Sequence, residues 1–267
     1  MIAVLGRFFG GGGQPAPPPQ PRQRLASASW PAVVYAIGDV HGCLAQLRLL
    51  HDRIFEDARG IEGDKLIVCL GDYVDRGPDS SGVLDYLGKP LPQDFRRICL
   101  AGNHEVMMLS FLDNPVPESS WLQYGGVETL ASYGIDVNRF VTRTARERLA
   151  LLESHVPGEH VAWMRSLPAA LVLPRTCFVH AGLRPGLPLA EQSEDDLLWI
   201  RDEFFDGEAD LDTFVVHGHT PSSRPVVTEK RVCVDTAAFA TGTLTALRLT
   251  EDGQAQFIYA TAAETGT

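Results

Sequence analysis

Residues 65–77 read KLIVCLGDYVDRG, an apolar run of aliphatic residues that ends in Gly71 and Asp72. Such a run, apolar on both sides, is typical of a strand buried on both faces of a sheet. The same pattern recurs in AVVYAIGD, RRICLAGN, CFVHAG and TFVVHGH, at residues 32–39, 96–103, 177–182 and 213–219. Helical leucine spacing follows several of these runs, for example at residues 43–58, 105–112 and 145–154. The alternation predicts an α/β fold with layered sheets.

The two ends of the sequence depart from this alternation. Residues 1–30 contain four consecutive glycines and a Pro-rich stretch, a composition that buries no core, so we expect a flexible tail there. The last apolar runs, RVCVDTAAF, GTLTALRLT and AQFIYAT, are typical of strands without helices between them, which predicts a mixed sheet. We therefore expect a single domain at residues 31–263 with a helical insert at about 114–168.

Composition argues against two classes of partner. The formal net charge is −11, whereas nucleic-acid backbones are bound by clustered Lys and Arg, so no nucleic-acid partner is expected. No apolar run reaches the roughly 18–20 residues that span a bilayer, so we expect no transmembrane segment. The cysteines are typical of buried thiols in a reduced, cytoplasmic protein, because none shows C-x-x-C spacing; they are Cys43, Cys69, Cys99, Cys177 and Cys233.

Polar residues at the ends of the predicted strands are candidate metal ligands. They are Asp39 and His41 in GDVHG, Asp72 in GDYVDRG, Asn103 in GNHE, His180 in HAG and His219 in GHT. Crevices in open α/β sheets form beyond the carboxyl ends of strands, so these side chains should converge. Carboxylate, amide and imidazole donors suit Mn, Fe, Zn, Co or Ni, of which we expect Mn. Tetrahedral cysteine-type zinc is excluded because no cysteine lies at ligand spacing.

The six donors divide into two groups that share Asp72. Asp39, His41 and Asp72 would hold one cation, and Asp72, Asn103, His180 and His219 would hold the other. Two cations roughly 3.5–4 Å apart clamp a bridging hydroxide and the phosphoryl oxygens of an in-line displacement. The sequence therefore predicts a hydrolase of phosphomonoesters with two divalent metal ions.

Five motifs, GDVHG, GDYVDRG, GNHE, HAG and GHT, occur in this order within roughly residues 33–240. In these motifs the chain resembles the metallophosphoesterases of the phosphoprotein phosphatase type, and especially the compact bacterial and phage serine/threonine protein phosphatases. The resemblance implies a calcineurin-like metallophosphoesterase fold, a central mixed β-sandwich flanked by helices. It also implies a phosphoprotein or phosphopeptide substrate and the ligand set given above. The long extensions that serve regulatory subunits in eukaryotic relatives are absent, so no regulatory subunit is expected.

The resemblance also implies roles for residues beside the ligands. His104 would be the general acid that protonates the leaving oxygen, and Asp75 would hold and orient His104. LWIR, at residues 198–201, is similar to a family segment that carries a phosphate-binding arginine. The implied phosphate-binding residues are Arg76, Asn103 and Arg201. Planar guanidinium groups bind phosphate oxygens bidentately, in agreement with both arginine assignments.

Two alternatives stay open at this point. A related branch hydrolyses dinucleoside tetraphosphates, and it carries Ala-Arg-Gly where this chain has Asp75-Arg76-Gly77, and Asp where this chain has Glu105. Both positions favour a protein phosphatase, with a dinucleoside polyphosphate or another nucleotide as the alternative substrate. The other alternative is an inactive binding module, which the loss of a ligand or of the acid would indicate; this chain has lost none of them.

Other polar and aromatic residues are assigned structural roles. Glu105 would interact with the dipole of the helix that it opens. The aromatic residues of SWLQYGGVETL, at 120–130, would pack within the insert or contact a substrate. We expect a structural role for Asp235, a core or outer-shell position for His217, and surface or partly packed positions for His51, His155 and His160.

Overall fold

The computed structural model describes residues 21–266, which form eleven strands and eleven α-helices. The strands are β1 Arg24–Ala26, β2 Val33–Ile37, β3 Lys65–Cys69, β4 Phe95–Cys99, β5 Ala170–Leu173, β6 Thr176–Val179, β7 Phe214–His217, β8 Val226–Val227, β9 Arg231–Cys233, β10 Thr243–Leu249 and β11 Ala255–Thr261. The helices are α1 Leu44–Asp57, α2 Ser80–Leu87, α3 Asn103–Asp113, α4 Val127–Ser132, α5 Val137–Phe140, α6 Ala145–His155, α7 Gly158–Ser166, α8 Glu194–Trp199, α9 Asp202–Asp206, α10 Ala238–Thr241 and α11 Ala262–Thr265. None of the helices within residues 21–266 is long and apolar enough to cross a lipid bilayer.

The strands form two mixed sheets. The first has the order β11-β10-β2-β3-β4, in which β2, β3 and β4 run parallel, while β10 is antiparallel to β2 and to β11. The second has the order β1-β5-β6-β7-β9-β8, in which the β5–β6 and β8–β9 pairs are antiparallel and the other pairs are parallel. The expected mixed sheet is confirmed, since β10 runs antiparallel to both of its neighbours. The absence of helices between the last strands was wrongly expected, because the four-residue helix α10 lies between β9 and β10.

The two sheets pack face to face over a shared apolar core. Val34 of β2 and Val68 of β3 pack there with Phe178 of β6 from the opposite sheet. The neighbouring residue Tyr35 points the other way, into a core beneath the first layer of helices, and Val179 packs with the α8–α9 layer. Successive side chains of a strand face opposite sides, so a strand covered on both faces reads as an unbroken apolar run. The predicted β-sandwich flanked by helices is thus confirmed.

Residues 114–168, the helical insert, contain a kinked turn at Leu122–Gly126, where Gly125 departs from helical geometry, and helices α4 to α7. Tyr133 and His160 attach the insert to α2, because the tyrosine oxygen lies 2.8 Å from His160 Nδ1 and Asp85 Oδ1 lies 3.0 Å from His160 Nε2. His160 is therefore buried rather than at the surface. His51 is likewise buried, with its ring beside Tyr86. The surface or partly packed position expected for these two histidines was wrong, because each ring fills space between helices.

The predicted boundary at residue 30 differs from the structure. Arg24–Ala26 forms β1, which pairs in parallel with β5 at the edge of the second sheet. Arg22 donates a hydrogen bond to the carbonyl oxygen of Leu167 at 2.9 Å, and the Trp30 ring packs edge-on against Phe178. A strand of three residues carries too little periodicity to be recognised in a sequence. The rest of the predicted tail, at residues 1–20, lies outside the described residues.

Candidate metal centre

The six predicted ligands lie in loops that follow strands of both sheets. Asp39 and His41 follow β2, Asp72 follows β3, Asn103 opens α3 after β4, His180 follows β6 and His219 follows β7. Their exposed fractions lie between 0% and 5%. Because the carboxyl ends of these parallel strands meet at one edge of the sandwich, the loops converge as the sequence predicted.

Unusual backbone conformations shape these loops. Within residues 21–266, five of the seven non-glycine residues with positive φ belong to the predicted site; they are His41, Asp72, Asp75, Arg76 and His219. Such conformations cost about 1–3 kcal/mol each, so the surrounding structure must hold them. Hydrogen bonds between the loops stabilise them. For example, the backbone N–H of His41, in the loop after β2, donates to the carbonyl oxygen of Asp72, in the loop after β3, at 2.8 Å. A Cβ atom on Gly71, whose φ is 110°, would lie 2.7 Å from the backbone nitrogen of Gly102.

Glu105 is a scaffold for these loops as well as a first-turn residue of α3. Its carboxylate accepts hydrogen bonds from four backbone N–H groups, those of Asp72, Tyr73, Val74 and Gly102, at 2.7–3.3 Å. Burial raises the pKa of Glu105 to about 7, aided by the charge of Asp72, while the N–H donors act in the opposite direction. Through this carboxylate the Asp72 loop and the start of α3 are held together.

One cluster of donors contains Asp72, Asn103, His180 and His219. His180 Nδ1 lies 2.9 Å from the carbonyl oxygen of Leu70, which can only accept, so Nδ1 carries the proton and Nε2 presents a lone pair. That Nε2 lies 2.8 Å from Asn103 Oδ1 and 3.4 Å from Asp72 Oδ1, both acceptors. Asn103 Oδ1 also lies 3.0 Å from His219 Nδ1. His180 Nε2, Asn103 Oδ1 and Asp72 Oδ1 are thus three acceptors that converge, an arrangement that suits a cation.

The other cluster contains His41, Asp72 and His104. His41 Nδ1 lies 2.8 Å from the carbonyl oxygen of Val74, which leaves its Nε2 lone pair facing Asp72 Oδ2 at 3.6 Å. His104 Nε2 lies 3.8 Å from the same oxygen. The histidine and aspartate ligand atoms in each cluster lie within 4.8 Å of one another, and Asp72 belongs to both. Each oxygen of the Asp72 carboxylate thus faces a different cluster, as a bridging ligand would.

Asp39 lies beside these clusters rather than in either of them. Its carboxylate accepts the backbone N–H of His219 at 3.1 Å and 3.3 Å, so it lies next to the cluster that contains His219. Gly218 permits this contact, because a Cβ at that position would collide with Asp39 Oδ1. Burial, followed by the charges of Asp235 and Asp72, raises the pKa of Asp39 well above its ordinary value.

The electrostatics of the site fit two divalent cations. Burial lowers the pKa of His41 to about 3 and that of His219 to about 2, and it also lowers the pKa of His180. The imidazoles are therefore neutral near pH 7, the form that binds metals. The carboxylates of Asp39, Asp72 and Asp235 crowd the same buried region, as their mutual effects on pKa show. Neutral nitrogen donors around crowded carboxylates make a donor set for cations such as Mn or Zn.

His104 differs from the other imidazoles at the site. Its Nδ1 lies 2.6 Å from Asp75 Oδ2, and its Nε2 faces a cavity of about 450 Å³. Burial alone would lower the pKa of His104, but the charge of Asp72 and the hydrogen bond to Asp75 outweigh it and raise that pKa. Among the imidazoles of His41, His104, His180 and His219, His104 is thus the one whose pKa is raised rather than lowered.

The predicted phosphate-binding arginines line the same cavity. Arg76 donates from Nη1 to His41 Nε2 and from Nη2 to His104 Nε2, both at 3.1 Å. Arg201 Nε donates to His219 Nε2 at 3.1 Å. Both guanidinium groups line the cavity that Asp72 also lines, where they can bind an anion.

Three residues at the site escaped the sequence analysis. The Arg76 guanidinium stacks on the ring of Phe239, 4.8 Å from its centroid. Thr129 and Ser80 form hydrogen bonds with Asp75. Trp121, for which only packing or substrate contact was expected, also donates a hydrogen bond to Asp75. The sequence signal for these contacts was the pair of glycines between two polar or aromatic residues, at Trp121, Gly125, Gly126 and Thr129. A single sequence, however, does not show which loop such residues contact.

Comparison with known proteins adds an independent finding. The pattern of the calcineurin-like phosphoesterase family matches residues 32–258. Serine/threonine-protein phosphatase 1 of Salmonella typhimurium is 28% identical over 234 residues, which cover 85% of this chain and 96% of that protein. The asymmetrical bis(5'-nucleosyl)-tetraphosphatase PrpE of Bacillus cereus is 24% identical over 234 residues, covering 80% of this chain and 89% of that protein.

Solved structures show the same fold at lower identity. A protein serine/threonine phosphatase from Saccharomyces cerevisiae superposes with a TM-score of 0.58 at 16% identity, covering 90% of this chain and 84% of that chain. A mutant cold-active protein tyrosine phosphatase superposes with a TM-score of 0.56 at 20% identity, covering 88% and 82% of the two chains.

Proposed function

The chain belongs to the calcineurin-like phosphoesterase family, and from this we propose that it is a serine/threonine protein phosphatase acting on phosphoproteins or phosphopeptides. The observation that carries the proposal is the buried pair of Asp75 and His104, joined at 2.6 Å, with the imidazole facing the cavity. The similarity to serine/threonine-protein phosphatase 1 supports the same substrate class.

The leaving group explains why this pair favours a protein substrate. Cleavage of phosphoserine or phosphothreonine releases an alkoxide, a strongly basic group that needs a proton as it departs. A nucleoside polyphosphate departs as a stable anion and needs far less help. A positioned general acid contributes roughly 10²–10⁴-fold to the rate when the leaving group needs a proton. The imidazole of His104, with its raised pKa, is such an acid.

The other residues bind and orient the phosphate. Asp39, His41, Asp72, Asn103, His180 and His219 would hold two divalent metal ions, and we propose Mn for both. When bound, such ions supply Lewis acidity and lower the pKa of a coordinated water. Arg76 and Arg201 bind the phosphate oxygens, and the amide of Asn103 lies beside them. The five free cysteines are in keeping with the cytoplasm as its location.

Arg76 and His104 are linked in proton transfer. In this structure the Arg76 guanidinium donates to His104 Nε2, so that nitrogen is an acceptor. A phosphate that draws Arg76 toward itself frees Nε2 to take up a proton from solvent, while Nδ1 continues to donate to Asp75. His104 would then donate that proton from Nε2 to the departing serine or threonine oxygen.

A dinucleoside polyphosphate is the second candidate substrate. Tyr124 and Trp199 line the cavity with side chains that are 55% and 38% exposed, and exposed aromatic rings stack on nucleobases. The tetraphosphatase named among the relatives favours the same candidate. Measuring kcat/KM on a phosphoserine peptide and on diadenosine tetraphosphate, after chelation and resupply of Mn, decides between the two. Faster turnover of the nucleotide would overturn the proposal.

Replacing His104 with Asn tests the acid. We expect kcat on a phosphoserine peptide to fall roughly 10²–10⁴-fold, because the alkoxide loses its proton donor. On para-nitrophenyl phosphate the loss should be much smaller, since nitrophenolate departs without a proton. Metal analysis is the control: the His104→Asn protein should keep the wild-type metal content. Loss of one ion would instead make His104 a ligand, and equal losses on both substrates would exclude the acid role.

A further inference from the structure

The Asp75 carboxylate is held by the helical insert as well as by His104. Trp121 Nε1 donates to Asp75 Oδ2 at 2.7 Å, and Thr129 Oγ1 donates to Asp75 Oδ1 at 2.7 Å. Trp121 is 2% exposed and Thr129 is fully buried. These contacts join residues 46 and 54 positions apart in the chain. The carboxylate that orients the acid is thus itself oriented by two side chains of residues 114–168.

The hydrogens around Thr129 can be assigned one by one. Its single hydroxyl hydrogen goes to Asp75 Oδ1, so its oxygen accepts from the Asp75 backbone N–H at 2.8 Å. The Ser80 hydroxyl, 3.0 Å away, must therefore donate to Thr129. Since an indole N–H can only donate, Trp121 likewise leaves Asp75 as an acceptor. His104 Nδ1 must then carry the proton toward Asp75, which leaves Nε2 to face the cavity.

The turn between these two side chains also touches Arg76. The Arg76 backbone N–H donates to the Gly125 carbonyl at 3.2 Å, and a Cβ on Gly125 would collide with Arg76. A Cβ on Gly126 would collide with the ring of Trp121. Gly125 has a φ of 109°, which favours glycine. The two glycines therefore let residues 121–129 lie directly on Asp75 and Arg76.

We propose that residues 121–129 are a clamp in which Trp121 and Thr129 are positioning residues for the general acid. They fix the Asp75 carboxylate, and through it the tautomer and orientation of His104. This inference rests on the proposed role of His104 in the reaction. It gives the insert a function in proton transfer rather than in packing or substrate contact alone.

Trp121→Phe and Thr129→Val test the clamp, because each removes one donor and keeps most of the packing. A hydrogen bond to a charged group is strong enough that kcat on a phosphoserine peptide should fall roughly 10- to 100-fold in each variant. On para-nitrophenyl phosphate both should stay within about 3-fold of the wild type. Thr129→Ser, which restores the hydroxyl, should recover the peptide activity. Trp163→Phe is the matched control, since Trp163 lies in the same insert and packs on Tyr73.

A second measurement does not depend on turnover. The zinc-loaded protein is diamagnetic, and the proton on His104 Nδ1, in a bond of 2.6 Å, should give a far-downfield NMR signal that His104→Asn lacks. We expect Trp121→Phe and Thr129→Val to shift or broaden this signal, and Thr129→Ser and Trp163→Phe to leave it unchanged. An unchanged signal together with an unchanged ratio of peptide to aryl activity would overturn the clamp. A wild type that ignores phosphopeptides would refute the proposed substrate only, because the NMR comparison still tests the clamp.

Discussion

At the scale of single residues, burial separates the histidines into two kinds. Seven of the eight histidines are buried; only His155 is exposed. Burial lowers the pKa of most of the buried rings, such as His41 and His217, each to about 3. His104 is the exception, because two carboxylates face it and raise its pKa. The same side chain would therefore serve as a neutral metal ligand in one position and, as proposed for His104, as a proton donor in another.

His51 gives a pH-dependent prediction away from the metal centre. Burial lowers the pKa of His51 to about 3, and its Nε2 has no hydrogen-bond partner among the described residues. Below an unfolded-state pKa of roughly 6.5, the unfolded chain takes up a proton that the folded protein refuses. This residue should therefore lower the free energy of unfolding by about 2 kcal/mol between pH 7 and pH 5.

Urea unfolding of His51→Gln at both pH values measures this contribution. The variant should lose about 2 kcal/mol less than the wild type on going from pH 7 to pH 5, while the other buried histidines cancel in the comparison. His155→Gln, at an exposed position, should behave as the wild type does. Equal pH dependence in wild type and His51→Gln would mean that His51 is protonated in the folded protein.

At the scale of elements, the strands that were predicted from the sequence, such as β2 and β3, differ in burial from β1, which was not predicted. β2 and β3 are buried along their whole length, so each appears in the sequence as an apolar run. β1 has only three residues, none of them fully buried, and its partner β5 lies more than 140 positions later in the sequence. Pairing at such a distance depends on the finished sheet, and local sequence does not record it.

The edge strand should nevertheless contribute to stability. A chain that begins at residue 31 lacks β1, the Arg22 bonds to the insert and the Trp30 contact with Phe178. Compared with a chain that begins at residue 21, its free energy of unfolding should be lower by roughly 3–5 kcal/mol, mostly from the lost burial of Trp30. Chemical denaturation of the two chains gives this difference. A value near zero would show that residues 21–30 add nothing to the sandwich.

At the predicted site, too, contacts that depend on tertiary packing could not be predicted from the sequence. The convergence of the candidate ligands could be predicted from the sequence because each follows a recognisable strand, as Asp72 follows β3. The partners of Asp75 could not, because Trp121 and Thr129 reach it from a separate insert. The positive φ of residues such as His41 and His219 is set by contacts between loops and has no local sequence signal. Residue types and strand ends can thus be predicted, whereas the contacts that orient them depend on tertiary packing.

At the scale of the whole molecule, the metal centre joins the two sheets. Asp72 and Asn103 come from loops of the first sheet, and His180 and His219 come from loops of the second. Ions bound between them would connect the two halves of the sandwich. Ligands that bind only the folded state stabilise it by about 2.7 kcal/mol per site at 100 times the dissociation constant.

Metal removal should therefore lower the melting temperature. We expect chelated protein to melt roughly 5–10 °C below the Mn-loaded form, as measured by calorimetry. Asp72→Asn weakens the donor shared by both clusters, so in this variant Mn should raise the melting temperature much less than in the wild type. Identical melting temperatures with and without Mn in the wild type would contradict a metal centre at this position.

The distance in sequence between the two sets of ligands also has a consequence for biosynthesis. Asp39 and His219, which touch in the folded protein, are 180 positions apart. At roughly 5–20 residues per second, a ribosome needs about 10–40 s to make the stretch between them. Until translation has passed His219, the nascent chain carries the carboxylates without the imidazoles of the second sheet. The ion that Asp72, Asn103, His180 and His219 would share must therefore be acquired late in synthesis or after release from the ribosome.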